Sequence, residues 1–449
     1  MQRRRERTPP TWGLRLFHPP PHPKIFGARP TIEPFFFNAT SVDRIQPSPA
    51  VRIGRSPAIL ELGDERLSSL AKPSMKVVIA FTDATRSSPD RLLVGHLLRQ
   101  LSAAGVPLGN ITLLCATGLH RPMTSREAVE KLGEEIAQTV RITNHTATEK
   151  RSLAELGTID GVPVTVNNLC LQADLLLATG VVEPHQYAGY SGGAKTVAIG
   201  CGGEPTIQAT HGVAMLDSEG VRLGKIEANP FQEFVRRAGE RIGLRYVANA
   251  LLDHEGAIVA CAAGPPTRVH DYLVRMGRAV FQVPVDFPVH AAIAGVALAK
   301  SRNLYQASRA ATYLALCDAT PLLPGAPIVL PAAIPEGAGE GIGEQRFYEL
   351  LAAAESPQQL VEQMRCNGFP AGAQRAYILA KTLSRNPVIV VGAATPAIVR
   401  DCKMANARTM QEGLQLATEL ARARFPGEQL RLLDLPNAMA MLPRLSITG

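Results

Sequence analysis

The chain has 449 residues, enough for two or three domains with full cores at roughly 150 residues per domain. With 46% hydrophobic and 19% charged residues it has the composition of a soluble globular protein, and no run approaches the ~18 consecutive apolar residues of a membrane helix. The formal charge of +8 is not a nucleic-acid footprint, because residues 1–30 carry seven Arg and Lys against Glu6 alone and so hold six of those charges.

The basic, proline-rich arm (TPPTWGLRLFHPPPHPK) lacks the continuous apolar core of a secretory signal. Its composition predicts a disordered extension over 1–45 with no catalytic part, a transit-like or interaction role being the alternative. Seven cysteines, widely spread and without a C-x-x-C pair, argue against a disulfide framework and a structural zinc site. A reducing, cytoplasmic setting is expected, with no nucleic-acid or membrane partner.

Short strands are expected within residues 31–74. MKVVIAFT (75–82) then reads as a buried strand, a short β-branched run that stops at a polar turn. DRLLVGHLLRQLSAAG (90–105) follows as an amphipathic helix closed by Gly105, then the strand ITLLCAT (111–117) and the turn GLHRPMT. The helix from Ser125 shows only a partial capping signal in S-R-E-A. Strand, polar loop and helix repeat, which predicts α/β domains with mostly parallel sheets. Further on, a helix is expected around FQEFVRRAGERIG, strands near RYVANALL and AIVACAAG, and a helix after PPTRVHDYLVRMGRAV. FQVPVDFPVHAAIAGVA (281–297) reads as a linker, dividing a catalytic domain over 46–285 from a smaller α/β domain over 286–449.

Ligands of such folds collect at the carboxyl ends of the strands. Three successive strand-end loops carry reactive residues here: Asp83 and Arg86, then His120 and Arg121, then the stretch from Val181 to Gly212. That last stretch (VVEPHQYAGYSGGAKTVAIGCGGEPTIQATHG) places His185 ten residues before Lys195 and His211 sixteen after it. Its glycines allow backbone N–H groups to approach an anion. GYSGGAKT (189–196) is one residue from a phosphate loop, in which Lys195 would bridge phosphates and Thr196 hold magnesium. Three imidazoles are also a conceivable zinc set, although none has H-E-x-x-H spacing. Arg86 is placed to fork a carboxylate or phosphate, or else closes a local turn with Asp83. Gln306 and Arg309 fall three apart on one face of a helix start. His96, His145, His254, His270 and His290 read as structural or solvated.

FTDATRSSP (81–89), ATGLHRPMT (116–124), the span from PHQYAGYSGGAK to ATHG and NLYQASRA (303–310) occur in the order found in the lactate racemase family, which uses a nickel-pincer nucleotide. The chain resembles that family from about residue 50 onward. The resemblance implies two α/β domains with mostly parallel sheets and the active site in the interdomain cleft. It implies a cofactor, Ni(II) pyridinium-3,5-bisthiocarboxylate mononucleotide, bound covalently to Lys195 with His211 as the nickel ligand. His120 and His185 would be paired acid/base catalysts, and Asp83, Arg86, Gln306 and Arg309 would contact cofactor or substrate. The implied activity is racemisation or epimerisation of a 2-hydroxy acid by reversible hydride transfer, in a protein served by cofactor-biosynthesis enzymes. One position departs: lactate enzymes carry lysine where this chain has Arg309. A planar fork is not a compact point charge, so a larger or more acidic hydroxy acid, or a sugar acid, stands beside lactate. A phosphate-loop NTPase and a non-catalytic cofactor- or hydroxy-acid-binding homologue are the alternatives.

Overall fold

The β-branched runs of the sequence are the strands that pair. The computed structural model describes residues 42–44, 58–64, 66–370 and 372–446, so the arm expected over 1–45 lies outside the described residues except at Val42–Arg44. A seven-stranded sheet runs in the order Leu60–Glu61, Ile258–Gly264, Leu244–Leu252, Leu175–Val182, Val77–Thr82, Ile111–Ala116, Arg141–Asn144. Every pairing in it is parallel except that between Leu244–Leu252 and Ile258–Gly264. The three central strands VVIAFT, ITLLCA and LLLATGVV are buried almost throughout, as a parallel sheet covered on both faces requires.

Alternation divides each strand between two cores. Val77, Ile79 and Phe81 pack with Leu93, Leu97 and Leu101 of helix Asp90–Ala103 on one face. Val78 and Ala80 face the other side, where helices Pro230–Ile242 and Pro266–Phe281 contribute Phe231, Val235, Leu273 and Phe281. Helix Ser125–Leu132 starts where the sequence places it, and its cap is stronger than the partial signal in S-R-E-A. Thr124 caps it in a full capping box with Glu127, because T-S-R-E supplies both reciprocal partners.

The chain leaves this sheet at Gly264 and enters a second at Ala291. The second sheet has six strands, all parallel: Val42–Arg44, Leu432–Leu435, Ala291–Ala294, Ile328–Pro331, Val388–Val391, Ala405–Ala407. Val42–Arg44, within the stretch 31–74 where short strands are expected, pairs with Leu432–Leu435 and covers what would be an open sheet edge. Between the sheets, Gln282–Val285 pairs in parallel with Leu442–Leu445.

Two polar ties join the lobes. Asp217 accepts hydrogen bonds from Arg365 Nε (2.7 Å), Tyr377 Oη (2.8 Å) and Lys381 Nζ (2.6 Å) of the second lobe. Gln186 donates to Thr312 Oγ1 (3.0 Å) and accepts from the buried Arg375 (3.2 Å). Partial burial would raise the Asp217 carboxyl, but these three donors bring it below the ordinary range. Its contribution to stability is therefore complete above the ordinary carboxylate pKa and lost as pH falls through the lowered one. Asp217→Ala should cost about 1–2 kcal/mol at neutral pH. Urea unfolding of both proteins across pH should show that difference closing toward acid.

Candidate active site

The carboxyl ends of Val77–Thr82, Ile111–Ala116 and Leu175–Val182 open into one cavity of about 610 Å³. Asp83, Arg86, His120, His185, Lys195 and His211 all line it, so three strand-end loops do converge. Tyr305, Ile342, Arg346 and Gln374 of the second lobe complete the wall, which places the cavity between the lobes. Gln306 and Arg309 lie behind that wall on helix Leu304–Ala315, one turn apart. Arg309 donates to Tyr313 Oη (2.8 Å) and weakly to Gln306 Oε1 (3.5 Å).

The loop Asp83–Ser88 is held from beneath. Lys131 Nζ, itself buried, donates to the Arg86 carbonyl (2.9 Å) and pairs with buried Asp90 (3.1 Å). Asp90 also accepts from Thr82 (2.7 Å) and Thr179 (2.5 Å), tying the first loop to the strand that carries the third. Asp83 Oδ2 lies 2.7 Å from His120 Nδ1, and Asp83 Oδ1 accepts from the Thr85 backbone and hydroxyl. Burial alone would raise the Asp83 carboxyl, but these bonds outweigh it and bring it down to about 2. An ionised Asp83 accepts, so His120 keeps its proton on Nδ1 and presents the Nε2 lone pair.

The third loop is a hairpin, Pro184–His185 against Gly189–Tyr190, followed by a tight turn into π-helical Thr196–Gly200. Such single π turns recur at functional sites. Gly192 and Gly193 have positive φ, and the Gly193 N–H donates to Asn249 Oδ1 (2.7 Å). The Thr196 hydroxyl donates to the Thr179 carbonyl (2.9 Å). It is thereby engaged by backbone rather than offered to magnesium. The short strand Gly189–Tyr190 leads into a π turn rather than into an α-helix, so the segment lacks the α-helix N-terminus of a phosphate loop.

Lys195 stands at the start of that turn. Burial, reinforced by the Arg86 charge, lowers its amine to about 7. Near neutrality a large fraction is therefore the uncharged nucleophile. His211 Nδ1 donates to the Ile207 carbonyl (2.9 Å), which leaves Nε2 as a lone pair. Burial and the Lys195 charge bring His211 down to about 4, so that lone pair is free at neutral pH. Tyr187 and Phe231 pack edge-on against the His211 ring at 5.4 and 5.3 Å. The same two aromatics flank His185, whose Nδ1 accepts the backbone N–H groups of Tyr187 (3.2 Å) and Ala188 (3.1 Å). Burial, then the charges of Lys195 and Arg86, hold His185 well below the ordinary imidazole pKa. Among the described residues no trio of His, Cys, Asp or Glu converges to hold a metal, so the three imidazoles do not form a zinc set.

Sequence reasoning passed over Glu183, Tyr187, Phe231, Asp90 and Lys131. Glu183 sits in the same V-V-E-P-H run as His185, lines the cavity, and supports the charge on Lys195 and Arg309. Of the other histidines, His145 faces the Gly202 carbonyl (2.9 Å), and His270 lies against the Ser191 carbonyl (3.2 Å) and Gly193. Both brace the lysine loop from behind.

Fold and site together define a two-lobed α/β enzyme that does its chemistry between the lobes. Models of the lactate racemase N-terminal and C-terminal domains match residues 55–224 and 291–433, together more than half of the chain. The lactate racemase of Lactiplantibacillus plantarum is 29% identical over 388 residues, covering 85% of this chain and 88% of that enzyme. The lactate racemase of Thermoanaerobacterium thermosaccharolyticum is 28% identical over 370 residues, covering 80% and 83%. The solved apoprotein of a T. thermosaccharolyticum lactate racemase superposes with a TM-score of 0.76 at 26% identity, over 85% of this chain and 90% of that one. A Thermotoga maritima protein shares the fold alone, at a TM-score of 0.59 and 19% identity, over 85% and 96%. The chain belongs to the lactate racemase family and is an isomerase. Among its described residues no helix is long and apolar enough to cross a membrane.

A desolvated lysine stores a cost that another side chain would relieve. The amine binds its proton at about 7 here against the ordinary 10.5, so the folded state takes up fewer protons than the unfolded one between those values. Stability then rises with pH across that window. Lys195→Met should stabilise the protein by about 1–2 kcal/mol at pH 7. Denaturation curves at pH 7 and 10 should show that advantage shrinking at the higher pH.

Proposed function

We propose that the protein racemises or epimerises a 2-hydroxy acid with a nickel-pincer nucleotide held at Lys195 and His211. The observation that carries this is the convergence of Lys195, His211, His120 and His185 on one cavity between the lobes. The donor set fits the group. Lys195 offers an amine near its neutral form, and His211 offers an oriented imidazole nitrogen. With a single histidine at that point, the remaining ligands of a nickel ion would come from the cofactor's own sulfur and carbon. Arg86 adds a fork for an anion, either the nucleotide phosphate or the substrate carboxylate.

When bound, the cofactor supplies an acceptor for hydrogen leaving carbon with its electron pair. This chain's residues supply the rest. Arg86 grips the carboxylate, so that a flat keto acid can turn without escaping. His120 and His185 face the substrate hydroxyl and govern its proton. Asp83 orients His120 and balances the charge that ring gains. The second lobe completes the cavity wall through Tyr305 and Gln374. Lactate is one substrate of the class.

Protein made together with the cofactor-building enzymes should carry a mass adduct on wild type that Lys195→Ala lacks, with nickel near one per chain. His211→Ala should lose nickel on dialysis, and His120→Ala should stop racemisation while keeping it. Identical intact masses for wild type and Lys195→Ala under cofactor-sufficient conditions would refute the tether. A screen of enantiopure 2-hydroxy acids by loss of optical rotation identifies the substrate.

A further inference from the structure

We propose that Gln186 is a positioning residue for His185: it ties the hairpin carrying that imidazole to the second lobe, so the ring takes its working place only when that lobe is seated. The proposal rests on the function above, in which His185 governs a substrate proton. Its own evidence is the bonding on either side of one amide.

Gln186 directly follows His185, at the turn between Pro184–His185 and Gly189–Tyr190. This turn is closed on itself, because His185 Nδ1 accepts the N–H groups of Tyr187 (3.2 Å) and Ala188 (3.1 Å). Ring and turn therefore move together. The first lobe holds the turn through Asn229, whose Nδ2 donates to the Tyr187 carbonyl (2.9 Å). The second lobe holds it through Gln186, by Thr312 of helix Leu304–Ala315 and Arg375 of helix Gln374–Arg385.

An amide is the side chain these partners require. The Thr312 hydroxyl donates to the Arg309 carbonyl (3.1 Å), which leaves its oxygen to accept from Gln186 Nε2 (3.0 Å). Arg375 can only donate, and it meets Gln186 Oε1 at 3.2 Å. One partner takes a hydrogen and the other gives one, so the amide has a single orientation. Thr312 and Arg375 are both buried, so water is poorly placed to replace either bond.

Arg375 also grips the cavity wall. It donates to the Tyr305 carbonyl (2.9 Å), and its guanidinium lies 5.2 Å from the Tyr305 ring centroid. Tyr305 lines the cavity, and Gln306 and Arg309 share its helix. The Gln186 amide and the Tyr305 carbonyl are neutral acceptors, and a guanidinium buried on such groups costs stability. What the contact provides instead is registry: the second-lobe wall and the His185 turn are fastened to one side chain. A shift of the second lobe must drag the turn or break both bonds. His120 has no such dependence, since Asp83, which orients it, belongs to its own lobe.

Gln186→Met keeps length and bulk and loses both bonds. In the loaded enzyme its kcat should fall about 10- to 10²-fold while KM stays within about threefold. Nickel content and adduct mass should match wild type. Arg375→Met should show a smaller fall, and the double variant should be no slower than Gln186→Met alone. In the cofactor-free protein, nitrogen-15 NMR of labelled histidine, assigned with His185→Gln, should show the His185 signals shifted or broadened in both single variants. Those of His120 should stay in place. Wild-type kcat in Gln186→Met, a double variant that multiplies the two losses, or His185 signals unmoved in both variants overturns the proposal. Should Gln186→Met fail to fold, Thr312→Val, which cuts one of the two bonds, carries the same measurements. Loaded wild type that inverts no 2-hydroxy acid overturns the function itself, and the cofactor-free spectra then decide the coupling alone.

Discussion

The site depends on how closely the segment from Gly189 to Gly200 is pressed onto the ends of the parallel strands. A Cβ at Gly189 would sit 1.8 Å from the Lys225 carbonyl oxygen, and one at Gly200 would sit 2.8 Å from the Ala116 Cβ. Only glycine permits either approach, and Gly189 also needs its positive φ. Thr196 to the Thr179 carbonyl and Gly193 to Asn249 fasten the segment to two adjacent strands. The consequence is chemical. A lysine on an ordinary loop would hold its ammonium in water, whereas here the amine is partly buried in the cavity wall. Desolvation then does what no single partner does and brings its proton affinity down toward neutrality.

The same compression organises the two rings further along. Tyr187 and Phe231 stand between His185 and His211, edge-on to the latter, so neither imidazole can swing without displacing a buried aromatic. The backbone then assigns each ring its tautomer: the Ile207 carbonyl takes the Nδ1 proton of His211, and two amides deny one to His185. His120 takes its tautomer from the Asp83 carboxylate. It is also the more exposed ring, with 46% of its side chain accessible.

Much of this was legible in the sequence, and the reason is periodicity. VVIAFT, ITLLCA and LLLATGVV are short β-branched or apolar runs that stop at polar turns, so the strands and their order of reactive loops followed directly. Asp83, Arg86, His120 and His185 meet because each stands just past such a run, and Lys195 and His211 follow on the segment that continues from the third. What the pattern does not carry is the partner across space. Nothing near Asp90 or Lys131 says that they brace Arg86, since both lie within helical stretches and read as surface charge. Gln186 and Arg375 are separated by 189 positions and meet only once the lobes pack. Phe231 reads as ordinary core on helix Pro230–Ile242, and its role beside two imidazoles comes from tertiary placement alone.

Arg309 shows how a residue outside the cavity wall still acts on its chemistry. Tyr313 and Gln306 hold the guanidinium, and Tyr313 raises its already high pKa. From there its positive charge adds to that of Arg86 against protonation of His185. A lysine in so dry a place sheds its proton readily, as Lys195 does, and its field would fade with it. A guanidinium does not. Arginine at this position therefore provides a permanent field where lysine would provide a conditional one. That field acts in the same direction as the burial of the hairpin, keeping the His185 imidazole neutral.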